Sequence, residues 1–265
     1  MGIELLIKEI NGNVGTIIFN RPERKNSFSP ELLIKLHLTL KEWEQDETIR
    51  TVVFTGSGDK AFSSGYDILS IPTDLTPEMA EVMKKENPLK LALSSVKNYP
   101  FPTIAMMNGY AFGAGLNLAL CCDMRVGVED ISVSMPPAKL GLIYHPEGFK
   151  QFAEVIGMAR TKELFFTARK YGGREVKEMG IVDYLVPRSE LSATTYALAN
   201  EIAGNAPLSL KGSKRILSML SRAVEFKETD LKEADAIIAQ GFDSEDLKEG
   251  QLAFIEKRKP VFKGC

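Results

Sequence analysis

Two glycine-rich turns hold the residues of this chain best suited to chemistry. Lys60-Ala61-Phe62-Ser63-Ser64-Gly65-Tyr66-Asp67-Ile68 follows the apolar run Thr51–Thr55, and Asn108-Gly109-Tyr110-Ala111-Phe112-Gly113-Ala114-Gly115-Leu116-Asn117-Leu118 follows Thr103–Met107. Small residues let a ligand approach the backbone, and a helix that starts at such a turn directs free N–H groups and its positive dipole end outward. That arrangement suits an anion, or an oxyanion that develops during a reaction. Taken singly, either turn is equally consistent with close helix packing. Gly113-Ala114-Gly115 lacks the third glycine and the later acidic residue of a dinucleotide fingerprint, and no Gly-Lys-Ser/Thr follows, so a phosphate loop is excluded.

The elements that must position these turns can be read from periodicity. Ile3–Lys8 and Val14–Phe19, separated by Asn11-Gly12-Asn13, predict a β-hairpin with an Asn-Gly turn. Ser29-Pro30 predicts a helix start, and Leu32, Leu33, Leu36, Leu40 and Trp43 recur at helical spacing; His37, inside that pattern, reads as structural. Thr51–Thr55, Thr103–Met107 and Arg125–Val128 predict buried strands, each leading into a turn and a helical pattern, the rhythm of an α/β core. Asp74–Asn87 is charged with helical tendency. From Leu191 the pattern is helical only, over Leu191–Gly204, Leu208–Arg222 and Phe226–Gln240. The expected organisation is an α/β core over residues 1–190 and a helical region over 191–265.

Composition bounds the function. With 265 residues, 44% hydrophobic and 26% charged, the chain is long enough for one large domain. A formal charge of −2 gives no field that would favour nucleic acid, so any anionic ligand must be met locally. Three cysteines, two of them the adjacent Cys121–Cys122, form neither a disulfide framework nor a metal-ligand spacing, which points to a reducing cytoplasm and no metal. No apolar run reaches the length of a membrane span.

Three segments in order, Asn20-Arg21-Pro22-Glu23-Arg24-Lys25-Asn26-Ser27-Phe28, Ala61–Ile68 and Asn108–Gly115, resemble the motifs of the crotonase (enoyl-CoA hydratase/isomerase) superfamily. Glu175–Pro187, Ser244–Gly250 and Phe254–Pro260 are similar to later family runs, so the resemblance covers essentially the whole chain. It implies a crotonase-like spiral of ββα units with C-terminal helices that trimerise, often as a dimer of trimers. It implies an acyl-coenzyme A substrate, with coenzyme A arriving as part of that substrate and no permanent cofactor. The oxyanion donors would be the backbone amides of Tyr66 and Ala114, each such donor worth about 3–4 kcal/mol. Coenzyme A would be met by the Arg21–Lys25 region, with Arg24 and Lys25 the best candidates, and by Phe62–Ile68, including Phe62, Ser64, Asp67 and Ile68. Asp67 would also brace its own loop. Lys257 and Lys259 are further candidates from a neighbouring subunit.

The chain departs from the family where a hydratase carries two glutamates, for those positions are Asn117 and Pro137. An amide can orient water but cannot take its proton, and proline offers nothing. The segment Lys139–Gly148 occupies the place where some relatives carry a catalytic carboxylate, which makes His145 and Glu147 the candidate acid/base groups, while Tyr66 and Tyr144 side chains read as pocket walls and Lys90 as a helix-face charge. Double-bond isomerisation or other one-base chemistry is therefore expected over plain hydration. The alternatives are decarboxylation or carbon–carbon hydrolysis of a 3-oxoacyl-CoA, and a non-catalytic acyl-CoA-binding protein.

Overall fold

The computed structural model describes residues 4–67, 87–221 and 228–262. The helical tendency expected before Asn87, and Ile68, lie outside the described residues.

The hairpin forms as β1 (Leu6–Asn11) and β2 (Val14–Phe19), with Asn11 paired to Val14 and Gly12 at φ 57° in the turn. The first strand runs three residues later than its apolar start predicts. A six-stranded sheet extends from it in the order β1-β2-β3-β5-β7-β10, where β3 is Thr51–Gly56, β5 Thr103–Met107, β7 Met124–Val128 and β10 Tyr184–Val186. From β2 onward all neighbours are parallel. Every residue of β3 and β5 is buried, which is why these strands read as continuous apolar or β-branched runs rather than alternating ones.

The second sheet contains β4 (Ala61–Ser63), β6 (Tyr110–Phe112), β8 (Ser132–Ser134) and the two-residue β9 (Tyr171–Gly172), in that order. Strands β3, β5 and β7 of the large sheet are each followed by one short strand of the small sheet, so the chain winds from one sheet to the other. After β6 and β8 a helix closes the layer: α3 (Ala114–Cys121) and α4 (Pro146–Thr167). This is the ββα spiral that the resemblance implies. Periodicity alone gave only turns at 60–68 and 108–118, because three residues are too few for a period of two to register.

Helix α1 (Pro30–Trp43) starts where the cap predicts, Ser29 Oγ accepting from the Leu32 amide at 3.3 Å, and it buries Leu32, Leu33, Leu36, Leu40 and Trp43. Helix α2 (Pro88–Lys97) packs along α1, with His37 Nδ1 2.6 Å from Ser95 Oγ. All eight residues of α3 are buried, so it is a core helix apolar on every side, and Asn117 is its one amide side chain. The short α5 (Gly173–Glu178) precedes β10. Helix α6 (Leu191–Ala203) lies across β3, β5 and β7, and α7 (Pro207–Ser221), α8 (Glu228–Phe242) and α9 (Glu245–Glu256) follow. The last of these was not foreseen by helical period, although Ser244 caps it.

Candidate active site

The two glycine-rich turns leave adjacent parallel strands, β4 and β6, and therefore emerge side by side. The register of β4 on β6 slips between Ala61 and Ser63, an irregularity of the kind that re-aims the chain beside a site. Gly65 then takes φ 97° and Gly113 φ 50° with ψ −120°, conformations that L side chains rarely adopt. Space gives a second reason for glycine at 65: a Cβ there would lie 2.6 Å from the Phe112 carbonyl oxygen and 3.3 Å from the Ala114 nitrogen.

Tyr66 forms a parallel bridge with Phe28. The Phe28 amide donates to the Gly65 carbonyl at 2.8 Å, and the Asp67 amide to the Phe28 carbonyl at 3.0 Å. Both bonds flank Tyr66, so its own N–H points to the opposite edge. Ala114 is the first residue of α3, where an amide has no partner within the helix. Among the described residues neither amide donates to a protein acceptor. Two unspent N–H groups on touching turns, one at a helix N-terminus, form a pair suited to one carbonyl oxygen.

One helical turn beyond Ala114, Asn117 is 1% exposed. Its Oδ1 accepts from the Tyr144 hydroxyl at 2.9 Å, and its Nδ2 faces Cys121 Sγ at 3.9 Å. Burial pushes the Tyr144 phenol and the Cys122 thiol well up, and the Cys121 thiol up to about 12, so all three stay protonated near neutrality. The Tyr144 ring packs against Phe149 and Phe165 of α4. It fits only because residue 148 is glycine, where a Cβ would fall 2.3 Å from the ring and 3.4 Å from Asn117 Oδ1. Pro137 is buried in a turn of 3-10 helix, Pro137–Lys139.

The candidate acid/base groups lie at the start of α4. His145 is its N-cap, Nδ1 accepting from the Glu147 amide at 3.3 Å. Glu147 is exposed, with Oε1 3.2 Å from Lys90 Nζ and Oε2 3.9 Å from His145 Nδ1. Among the described residues no three His, Cys, Asp or Glu side chains gather as a metal centre requires.

The proposed coenzyme A residues separate into two groups. Arg24 and Lys25 are exposed, Lys25 in the left-handed region at φ 52°. Ser64 joins them, its amide donating to the Lys25 carbonyl and its hydroxyl to that of Arg24. Phe62, by contrast, has its ring fully buried edge-on against Phe19, and Asp67 is engaged by Arg21 at 3.2 Å. Helical or strand period could not have found the Tyr144–Asn117 bond, which joins residues 27 apart in sequence. Its only sequence signal is Tyr144 and Gly148 four residues apart around a helix start.

A model of the family described as enoyl-CoA hydratase/isomerase matches residues 9–265. The short-chain-enoyl-CoA hydratase of Clostridium acetobutylicum is 31% identical, over 98% of this chain and 97% of its own. The carnitinyl-CoA dehydratase of Escherichia coli K12 is 32% identical, over 96% of each. Among solved structures, methylmalonyl-CoA decarboxylase complexed with 2S-carboxypropyl-CoA superposes over the full length of both chains with a TM-score of 0.91 at 28% identity.

Proposed function

The chain belongs to the enoyl-CoA hydratase/isomerase family, and from that premise we propose that it decarboxylates a short 2-carboxyacyl-coenzyme A thioester. The observation that carries the proposal is the neutral Asn117–Tyr144 pair one turn from the Ala114 amide, with Pro137 where a second glutamate would be expected. Water addition and double-bond shifts both begin with a base, which takes a proton from water or from carbon. Loss of carbon dioxide does not. The bond from C2 to the carboxylate breaks, its electron pair becomes the enolate C1–C2 bond, and charge moves to the thioester oxygen between the Tyr66 and Ala114 amides. C2 then takes a proton from water, which completes the exchange of carbon dioxide for hydrogen. Only the enolate needs stabilising, and that is what two preorganised amides supply.

Electrostatics favours the same reading. A glutamate at 117 would set one anion against the substrate's own carboxylate, whereas an amide whose oxygen is held by the Tyr144 hydroxyl brings no charge. The likeness to methylmalonyl-CoA decarboxylase supports the substrate class. Arg24 and Lys25 supply exposed positive charge for the phosphates of coenzyme A, which comes with the substrate. Isomerisation is the second reading, favoured by Glu147 and His145 together at the N-terminus of α4. Exposed Leu208, Leu217, Phe254 and Ile255 in the C-terminal helices support assembly as a trimer or dimer of trimers.

The test is incubation with methylmalonyl-CoA, malonyl-CoA, a 3-enoyl-CoA and crotonyl-CoA, followed by mass and absorbance. Loss of carbon dioxide from a 2-carboxyacyl thioester is the expected result. Conversion of the 3-enoyl thioester alone would establish the isomerase reading instead, and binding of all four without turnover would make this a non-catalytic acyl-CoA-binding protein.

A further inference from the structure

We propose that Arg21 and Asp67 are positioning residues of the oxyanion hole, and that Arg21 is not a ligand of the coenzyme A phosphates. The inference rests on the reading of Tyr66 and Ala114 as carbonyl-binding amides. The Arg21 guanidinium spans the bridge that aims Tyr66. One terminal nitrogen, Nη1, donates to the Ser27 carbonyl at 2.8 Å and to the Ser27 hydroxyl at 3.2 Å, and the second, Nη2, reaches Asp67 Oδ2 at 3.2 Å. Ser27 precedes Phe28 on one side of the bridge and Asp67 follows Tyr66 on the other, so a single rigid fork fixes both strands around the Tyr66 amide. Asn26 secures the base of the fork, its Oδ1 accepting from the Arg21 amide while its Nδ2 donates to the carbonyls of Ser57 and Ala61.

Charge gives the pair a second role. Asp67 is the residue next to the donor, and a bare carboxylate there would oppose the negative charge that gathers on the thioester oxygen. Arg21 cancels it at contact distance, with both side chains only 15% exposed. The same geometry withholds Arg21 from a phosphate, since both terminal nitrogens are engaged and only 15% of the side chain meets solvent. Arg24 and Lys25, exposed on the same loop, have no such commitment among the described residues.

The variants are Arg21→Gln, Arg21→Lys, Asp67→Asn, Arg21→Gln with Asp67→Asn, and Arg24→Gln with Lys25→Gln. Three quantities are read on the full chain: affinity for free coenzyme A by calorimetry, the red shift of 4-dimethylaminocinnamoyl-CoA on binding, and kcat with KM for the 2-carboxyacyl thioester. The red shift reports polarisation of the thioester carbonyl without turnover. Arg21→Gln is expected to shrink the red shift and lower kcat about 100-fold, the scale of a displacement near 1 Å at a reacting centre, with coenzyme A affinity within about twofold of wild type. Adding Asp67→Asn should restore part of both, because the unpaired carboxylate is gone. Arg21→Lys, which keeps the charge and loses the fork, should fall between wild type and Arg21→Gln and guards against a variant that does not fold. Arg24→Gln with Lys25→Gln should weaken coenzyme A instead.

A tenfold loss of coenzyme A affinity in Arg21→Gln with the red shift intact would make Arg21 a phosphate ligand and overturn the proposal. An unchanged red shift and kcat in every Arg21 and Asp67 variant would overturn it as well. A wild-type protein that shifts the probe but decarboxylates nothing refutes the proposed reaction and leaves the hole; one that binds the probe without a shift refutes the hole and this inference with it.

Discussion

At the scale of single residues, the division is between what the backbone does and what side chains do. The two turns that carry the proposed donors 66 and 114 were legible in sequence, since glycine at 65 and 113 marks backbone that only glycine adopts readily, whereas the donor role itself is what the family resemblance implies. The bond between Tyr144 and Asn117 was not legible, since it depends on a missing Cβ at Gly148. Tyr144→Phe removes one donor from a buried amide oxygen and is expected to cost about 1–3 kcal/mol, measured by urea unfolding. Gly148→Ala should displace the Tyr144 ring and lower kcat while the affinity for free coenzyme A stays unchanged, as calorimetry would show. On the decarboxylase reading Asn117→Asp sets an anion against the substrate carboxylate; binding of a 2-carboxyacyl-CoA is expected to weaken about tenfold or more, and binding of propionyl-CoA far less.

At the scale of elements, caps and buried runs announced themselves and short strands did not. Ser29-Pro30 located α1 to the residue, and Thr103–Met107 is β5 with its predicted bounds. Strands β4 and β6 escaped because each gains its identity from the neighbour it pairs with rather than from its own pattern. His145 illustrates how an element can claim a residue that looks chemical: it terminates α4 through its ring nitrogen. His145→Ala is therefore expected to destabilise the protein by about 0.5–2 kcal/mol, and His145→Asn, another good cap, to restore most of it in thermal unfolding. On the decarboxylase reading both variants retain kcat within a few-fold. Gly65→Ala is the opposite case. The new methyl meets the Phe112 carbonyl and crowds the Ala114 amide, so kcat should fall at least about 100-fold even where the variant folds.

At the scale of the whole molecule, the spiral was legible from motif order but its fastenings were not. Lys214 of α7, 8% exposed, donates to Asp123 Oδ2 at 2.6 Å and to the Phe101 carbonyl at 2.9 Å, tying that helix to the segments that lead into β7 and β5. Sequence showed only one lysine among many on a helix. Lys214→Met is expected to cost about 2–3 kcal/mol, less than the loss of a fully buried pair, because Asp123 keeps two bonds from Thr103. Parallel pairing of β4 with β6 also bears on ancestry. The Tyr66 and Ala114 amides follow these paired strands, and their nearness rests on that pairing and on the glycines at 65 and 113 rather than on the side chains at 117, 137 or 144–148. On the proposed reading, substitutions at 117, 137 or 144–148 would exchange one chemistry for another and leave the thioester-binding amides in place, so that a new activity would need no ancestor that had lost its substrate.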